Sequence, residues 1–518
     1  MHTKIISATT VGVDAFPVEV EVDLAFGMLL FNVVGLPDTA IKESRQRIAT
    51  ALKNCGIQLP ERKITVNLAP ADLKKEGTLF DLPIALGILH AAGELPHGPF
   101  LTDTLVVGEL SLDGSIKRVR GVLPIARGAQ RCGFRRIIVP HENAQEAAMV
   151  EGLEVIAPAH LTELIAHLRR EKIILPTPHN RALFAQAPWP FDFGEVRGQR
   201  QAKRALQIAA AGRHNILFVG APGAGKTMLA KRLASIMPPL TYEEMLDVST
   251  IYSVSGKLGN LPLITTRPIR APHHTISQAG LVGGGSFPQP GEISLAHHGI
   301  LFLDEFTEFQ RTTLEVLRQP LENHEVCIAR AQQSVTFPAS FLLVAALNPC
   351  PCGYRGDKRK QCICSAQQVK KYLEKLSGPL LDRIDLQIAV QGVDYETIQQ
   401  RTGEQPLAEL SSSELYAGVE QATERQRARC ARTTGTRPVW NAFMAPKDID
   451  RYCVLTADAQ ELVKKAFDKL GMSMRGYHKL LKVARTIADL AQSDPIGREH
   501  VQEAVFYRSL EQTLERGV

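Results

Sequence analysis

The residues best equipped for chemistry lie in one short run. Asn215-Ile-Leu-Phe-Val219 is a strand-length apolar stretch. It leads into Gly220-Ala221-Pro222-Gly223-Ala224-Gly225-Lys226-Thr227, and a helical pattern follows from Met228 to Met237. A G-x-x-x-x-G-K-T loop between a strand and a helix is a phosphate cradle. Its glycines let successive backbone N–H groups face the phosphates of ATP. Lys226 would bring a charge to the β- and γ-phosphates, and the Thr227 hydroxyl would ligate Mg²⁺.

Hydrolysis at such a loop needs carboxylates on a second strand. Gly299-Ile-Leu-Phe-Leu303-Asp304-Glu305 supplies them. Asp304 would hold the Mg²⁺ through water, and Glu305 would polarise the attacking water. The next apolar run, Phe341–Ala346, leads to Asn348, whose amide could position the same water. Lys226 and Asp304 stand 78 residues apart, more than one helix and one strand require. The excess, Ile251–Ala296, includes Arg270-Ala-Pro-His273-His274, whose histidines read as ordinary loop residues rather than metal ligands. A second excess, His324–Phe337, reads as a hairpin with Arg330 near its tip.

Cys350, Cys352, Cys362 and Cys364 follow Asn348 as C-x-C, nine residues, C-x-C. Four thiolates can close a tetrahedral shell around a structural Zn²⁺ with no position left for water. The intervening stretch has almost no apolar residues and cannot make a core. Disulfides are the less expected outcome in a reducing compartment. Arg355, Lys358, Arg359 and Lys360 surround the cysteines, a distribution suited to neutralising DNA phosphates without reading sequence. Arg425, Arg427, Arg429 and Arg432 form a second basic cluster, which reads equally well as a solvated helix face.

Elements must position these groups. A chain of 518 residues exceeds one hydrophobic core and predicts two to four domains. With 44% hydrophobic and 22% charged residues, disordered and fibrous classes are excluded. No apolar run reaches the ~18 residues that span a bilayer, and the first residues lack a secretory profile, so a cytoplasmic protein is expected. The net charge of +6 arises beyond residue 172. Strands and helices alternate over 1–172, four prolines mark a linker over 173–190, a P-loop core occupies 191–400, and helices dominate 401–518. The fold class is therefore α/β with a C-terminal helical lid.

The loop, the Asp304-Glu305 strand, the inserted hairpin, Asn348 and Gly378-Pro-Leu-Leu-Asp-Arg383-Ile-Asp385 together resemble a AAA+ ATPase of the magnesium-chelatase-like group. Val34-Gly-Leu-Pro-Asp38, Leu73-Lys-Lys-Glu-Gly77, Arg270-Ala-Pro-His-His274 and Cys350-Pro-Cys352 are similar to the ComM/YifB family of bacteria, and the resemblance covers nearly the whole chain. It implies that Asn348 is sensor 1, that Arg383 is an arginine finger reaching a neighbouring subunit's ATP, and that Arg475 is sensor 2. Gly198-Gln199 would receive the adenine. It further implies a homo-oligomeric ring, a hexamer, driving branch migration of single-stranded and branched DNA during natural transformation. Without the resemblance, a local surface ion pair of Arg383 with Asp382 or Asp385 stays open as the alternative.

Residues 1–172 resemble the fold shared by the Lon proteolytic domain and one domain of ribosomal protein S5, which raises a peptidase reading. The position of the Lon nucleophile is held by Leu79, with Thr78 one residue out of register and Lys117 as the matching lysine. A lysine without an activatable hydroxyl makes no acyl-enzyme, so a peptidase is not expected. A third reading is the ATPase subunit of a metal-inserting chelatase. A Lon-like N-terminal domain and a Cys-x-Cys pair after sensor 1 are not expected in such a subunit.

Overall fold

The computed structural model describes residues 2–28, 30–60, 62–75, 77–96, 98, 100–184, 189–285, 288–329, 334–357, 360–392, 410–431 and 440–508. The chain forms two compact units. The first takes in Met1–Ala185, Thr241–Thr265 and Ala329–Phe337; the second takes in Gln186–Leu240, Thr266–Ile328 and Pro338–Val518.

The first unit is built on seven strands: β1 (His2–Val11), β2 (Asp14–Ala25), β3 (Leu30–Val34), β4 (Lys63–Ala69), β5 (Thr104–Val106), β6 (Arg136–Ile138) and β7 (Glu154–Ile156), in the order β3-β4-β2-β1-β5-β6-β7. Along β2, Val18, Val20, Val22 and Leu24 are buried and alternate with half-buried residues, the pattern of a sheet covered on one face. The cover includes the helix Asp81–Ala91, which is apolar nearly all round and correspondingly buried nearly all round. Its buried Asp81 accepts a two-pronged bond from Arg47, at 2.8 and 3.0 Å. The helix Tyr242–Val254 lies far along the chain yet packs in this unit. Arg127 donates to Asp247 at 2.9 Å, the Tyr242 hydroxyl to the Met149 carbonyl at 2.6 Å, and the Ser253 hydroxyl to the buried Glu146 at 2.5 Å.

The second unit holds a parallel sheet of β8 (Ile216–Val219), β9 (Ile269–Arg270), β10 (Ile300–Leu303), β11 (Leu342–Leu347) and β12 (Leu386–Ala389), ordered β9-β10-β11-β8-β12. β8, β10 and β11 are buried along their whole length. They read as continuous apolar runs because both faces of a parallel sheet are covered. Helices Ser412–Ala431, Ala457–Leu470, Met474–Leu490 and Arg498–Phe506 contribute Val419, Val463, Leu480, Ile487 and Val501 to the core that contains Ile216, Phe218 and Leu386. Lid and sheet therefore share one core. Asp385, just before β12, ties them: it accepts the Asn215 N–H at 2.9 Å and pairs with Lys479 of the helix Met474–Leu490 at 2.7 Å. Burial opposes its ionisation, but the Lys479 ammonium and His214 overcome this and hold the carboxyl well below the usual range.

Register fixes what emerges from the sheet. Val219 is paired with Leu347 on one side and Ala389 on the other, and Leu303 is paired with Ala345. The loop after β8, Asn348 after β11 and Asp304 after β10 thus leave the same edge side by side. In a parallel α/β sheet that edge is where ligands bind.

Candidate functional site

The loop after β8 bends through left-handed glycines. Gly225 has φ +92°, a conformation a side chain would strain, and it leads directly into the helix Lys226–Arg232. The Lys226 ammonium is buried and donates to the carbonyls of Gly220 (2.6 Å) and Ala221 (3.0 Å) and to the Asn348 Oδ1 (3.1 Å). Burial pushes its pKa below that of a free lysine, with Asp304 and Glu305 opposing the shift. Thr227 donates its hydroxyl to an Asp304 carboxylate oxygen at 2.6 Å. A hydroxyl and a carboxylate that close supply adjoining hard oxygen donors, the donor set Mg²⁺ prefers.

Glu305 sits in the left-handed region, at φ +50°. That conformation costs a non-glycine residue on the order of 1 kcal/mol and is typical of residues held for function. Its carboxylate lies 3.1 Å from Nδ1 of His274, whose ring stacks on His273 at 4.1 Å between centroids. His274 follows β9, so the strand beside the Glu305 strand delivers it. The motif Arg270–His274 signalled this residue, but sequence reasoning assigned it no partner. Gln199, left-handed at φ +51°, donates to the Gln391 carbonyl at 2.5 Å and reaches the Ala224 carbonyl at 3.4 Å. The Gly198-Gln199 segment thereby lies against the phosphate loop.

Arg383 and Arg475 converge elsewhere. Arg383 is largely buried and donates to the carbonyls of Arg318 (3.1 Å) and Pro379 (2.5 Å). It pairs with Glu322 at 2.7 Å, and not with its sequence neighbours Asp382 and Asp385. Arg475, at the start of the helix Met474–Leu490, pairs with the same Glu322 oxygen. One carboxylate thus holds both arginines.

Cys350, Cys352, Cys362 and Cys364 lie together, with all four Sγ atoms within 4.8 Å of one another. The backbone N–H groups of Tyr354 and Ile363 pull the Cys352 thiol down to about 6, whereas burial raises Cys350 to about 12. Lys360 sits over the Tyr354 ring at 4.8 Å. Arg355 is described, whereas Arg330, Lys358 and Arg359 lie outside the described residues. The expected hairpin is present as strands Glu325–Ala329 and Ser334–Pro338. In the second basic cluster Arg425 pairs with Asp494 and Arg429 with Asp489, which leaves those two side chains bound within the protein. In the first unit Thr78 donates its hydroxyl to Glu109, and Lys117 is exposed. No described helix is long and apolar enough to cross a membrane.

Comparison with known proteins agrees with this geometry. Residues 192–398 match the family model described as magnesium chelatase, subunit ChlI, and residues 409–508 match that of its C-terminal part. Residues 20–143 match a further ChlI model, described as subunit ChlI of Mg-chelatase. Competence protein ComM of Haemophilus influenzae is 42% identical over 514 residues, 98% of each chain. YifB of Escherichia coli is 40% identical over 99% of this chain and 97% of its own. Lon protease 2 of Bacillus subtilis is 29% identical over 125 residues, 24% of this chain and 22% of its own.

Proposed function

The chain belongs to the ComM/YifB family, with the α/β core and C-terminal helices of a magnesium-chelatase-like AAA+ protein, and from that premise we propose that it is an ATP-driven motor acting on DNA. The observation that carries the ATPase part is the convergence of Lys226, Thr227, Asp304, Glu305 and Asn348 at one sheet edge. Lys226 exchanges the oxygens of Gly220, Ala221 and Asn348 for those of the β- and γ-phosphates. Thr227 and Asp304 would hold Mg²⁺, which would supply positive charge to neutralise the phosphates. Glu305, oriented by His274, takes the proton of the attacking water, and Asn348 fixes that water's position. Gly198-Gln199 meets the adenine, and Arg475 approaches the nucleotide from the lid.

The DNA part is supported by likeness over the full chain to a protein named for competence, together with the basic residues that the sequence sets between the cysteine pairs and in the 324–337 insertion. We assign phosphate contacts to Arg330, Arg355, Lys358, Arg359 and Lys360. Arg383 completes a neighbouring subunit's site once it leaves Glu322, which makes the working form a ring, a hexamer in this reading. The 173–190 linker and the Lon-like N-terminal domain serve this motor as scaffold, without peptidase chemistry.

The test is ATP turnover by the full chain, alone and with single-stranded or branched DNA, alongside displacement of a labelled strand. Stimulation by DNA and displacement that is lost in Arg330→Ala support the reading. Turnover raised only by a porphyrin-binding subunit would replace it with the chelatase reading.

A further inference from the structure

We propose that Cys350, Cys352, Cys362 and Cys364 hold a structural zinc ion, and that this ion braces the phosphate loop so that metal and nucleotide binding are coupled. The Sγ atoms of Cys350 and Cys352 are 3.3 Å apart, and that of Cys362 is 3.6 Å from each. A tetrahedron with Zn–S near ~2.3 Å has edges of roughly 3.8 Å. A disulfide would need about 2.05 Å. The sulfurs are therefore arranged around a centre and not in bonded pairs. The Cys352 N–H points at the Cys364 Sγ from 3.4 Å, a backbone contact that orients a thiolate ligand. Gly353–Gln361 contains Tyr354 as its one large apolar side chain, so it has no core of its own. Zn²⁺ displaces the thiol protons and supplies the order that packing cannot.

The loop leans on the nucleotide site at two points. Cys350 is buried two residues after Asn348, which accepts from Lys226. Gly353, at φ +84°, presses on the phosphate loop itself: a Cβ there would stand 2.7 Å from Pro222 Cδ and 2.8 Å from its Cγ, and 3.9 Å from Asn348 Cγ. Loosening the cysteine loop therefore removes a wall of Pro222 and the anchor of Asn348 together. The coupling is reciprocal by linkage, so bound nucleotide must tighten zinc binding by the same factor as zinc tightens nucleotide binding.

The inference rests on the nucleotide-loop reading alone and is independent of DNA. The full chain is purified without chelator, its zinc measured by elemental analysis, and its affinity for a fluorescent ATP analogue titrated before and after an organomercurial strips the thiols. We expect close to one zinc per chain, nucleotide binding about tenfold weaker after stripping, and zinc held about tenfold more tightly against a competing chelator at equilibrium when ATP is saturating. Gly353→Ala keeps all four thiols; it should retain zinc and its melting temperature within a few degrees, yet bind nucleotide about tenfold more weakly. A reduced protein without zinc overturns the site. Zinc that leaves without changing nucleotide affinity, or a Gly353→Ala protein that binds as the parent does, overturns the coupling. A parent that binds no nucleotide overturns the nucleotide-loop reading, and the coupling with it.

Discussion

Replacing Lys226 with alanine removes the ammonium that now donates to Gly220, Ala221 and Asn348. On nucleotide binding that ammonium trades these oxygens for phosphate oxygens. A hydrogen bond to a charged group contributes roughly 1.5–3 kcal/mol, so two such bonds amount to about 3–6 kcal/mol. At about 1.4 kcal/mol per tenfold, the dissociation constant for ATP should rise by about two to four orders of magnitude. The fold should suffer less. The freed Gly220 carbonyl is buried and the Ala221 carbonyl half-buried, so a loss of about 1–3 kcal/mol is expected. Fluorescent-nucleotide titration and thermal melting of the same preparation separate the two effects. An Lys226→Ala protein that melts like the parent and binds ATP within threefold of it would refute the phosphate role.

Glu305→Gln should bind ATP with parental affinity and turn it over at least about a hundredfold more slowly, because only water activation is lost. Single-turnover hydrolysis checks this, and a parental rate would sink the assignment. His274→Ala should lower turnover about tenfold without weakening ATP binding, as expected for a group that orients Glu305; a raised KM with unchanged kcat would count against that role. Mixing Arg383→Ala with Lys226→Ala chains should restore part of the activity that each lacks, since some interfaces then pair an intact loop with an intact arginine. Mixed oligomers that remain inactive would point to action within one chain. Finally, the depressed Asp385 pKa gives a sign for acid sensitivity. The carboxylate's contribution is complete above its unfolded value of ~3.9 and is lost as pH falls through the lower folded value. Denaturant unfolding of the second unit should therefore be insensitive to this group between about pH 5 and 8 and weaken below about pH 4. Asp385→Asn should cost about 3–5 kcal/mol at neutral pH by stranding the buried Lys479, and a cost under about 1 kcal/mol would show that the pair does not tie lid to sheet.

Features encoded within a few neighbouring residues were readable from sequence. The strand, glycine loop and helix around Lys226, the apolar strand before Asp304 and the Cys350–Cys364 spacing are each local, and the structure places them as expected. Val18–Leu24 and Lys63–Leu68 carry strand patterns and Thr39–Lys53 a helical one, and they lie in β2, β4 and the helix Thr39–Asn54. β1 was not, because its buried positions include Ser7 and Thr9, which carry no hydropathy signal. Partnerships across the chain were the harder part. Arg383 has two acidic neighbours in sequence, but Asp385 is taken by Lys479 and the arginine turns to Glu322. His274 offered its residue type and motif but not the carboxylate it meets. The helix Tyr242–Val254 carried no mark of the unit it joins, since an apolar helix face does not name its partner.

That last helix bears on how the protein is made. The first unit is assembled from three stretches of chain, and the latest of them closes at Phe337. During synthesis the ribosome must therefore add some 150 residues after Ala185, including the whole phosphate loop, before the unit has all its parts. Until then Arg127 and the buried Glu146 wait for Asp247 and Ser253. Domains usually fold as units in N-terminal order as they emerge, and here that order is interrupted. A fragment ending at 185 lacks the helix Tyr242–Val254, and a fragment beginning at 186 carries Met245, Leu246, Val248 and Ile251 with nothing of the first unit's 1–185 to bury them. Neither half can be cut out cleanly, so the nascent chain is most exposed to aggregation and proteolysis while residues 186–337 are being translated.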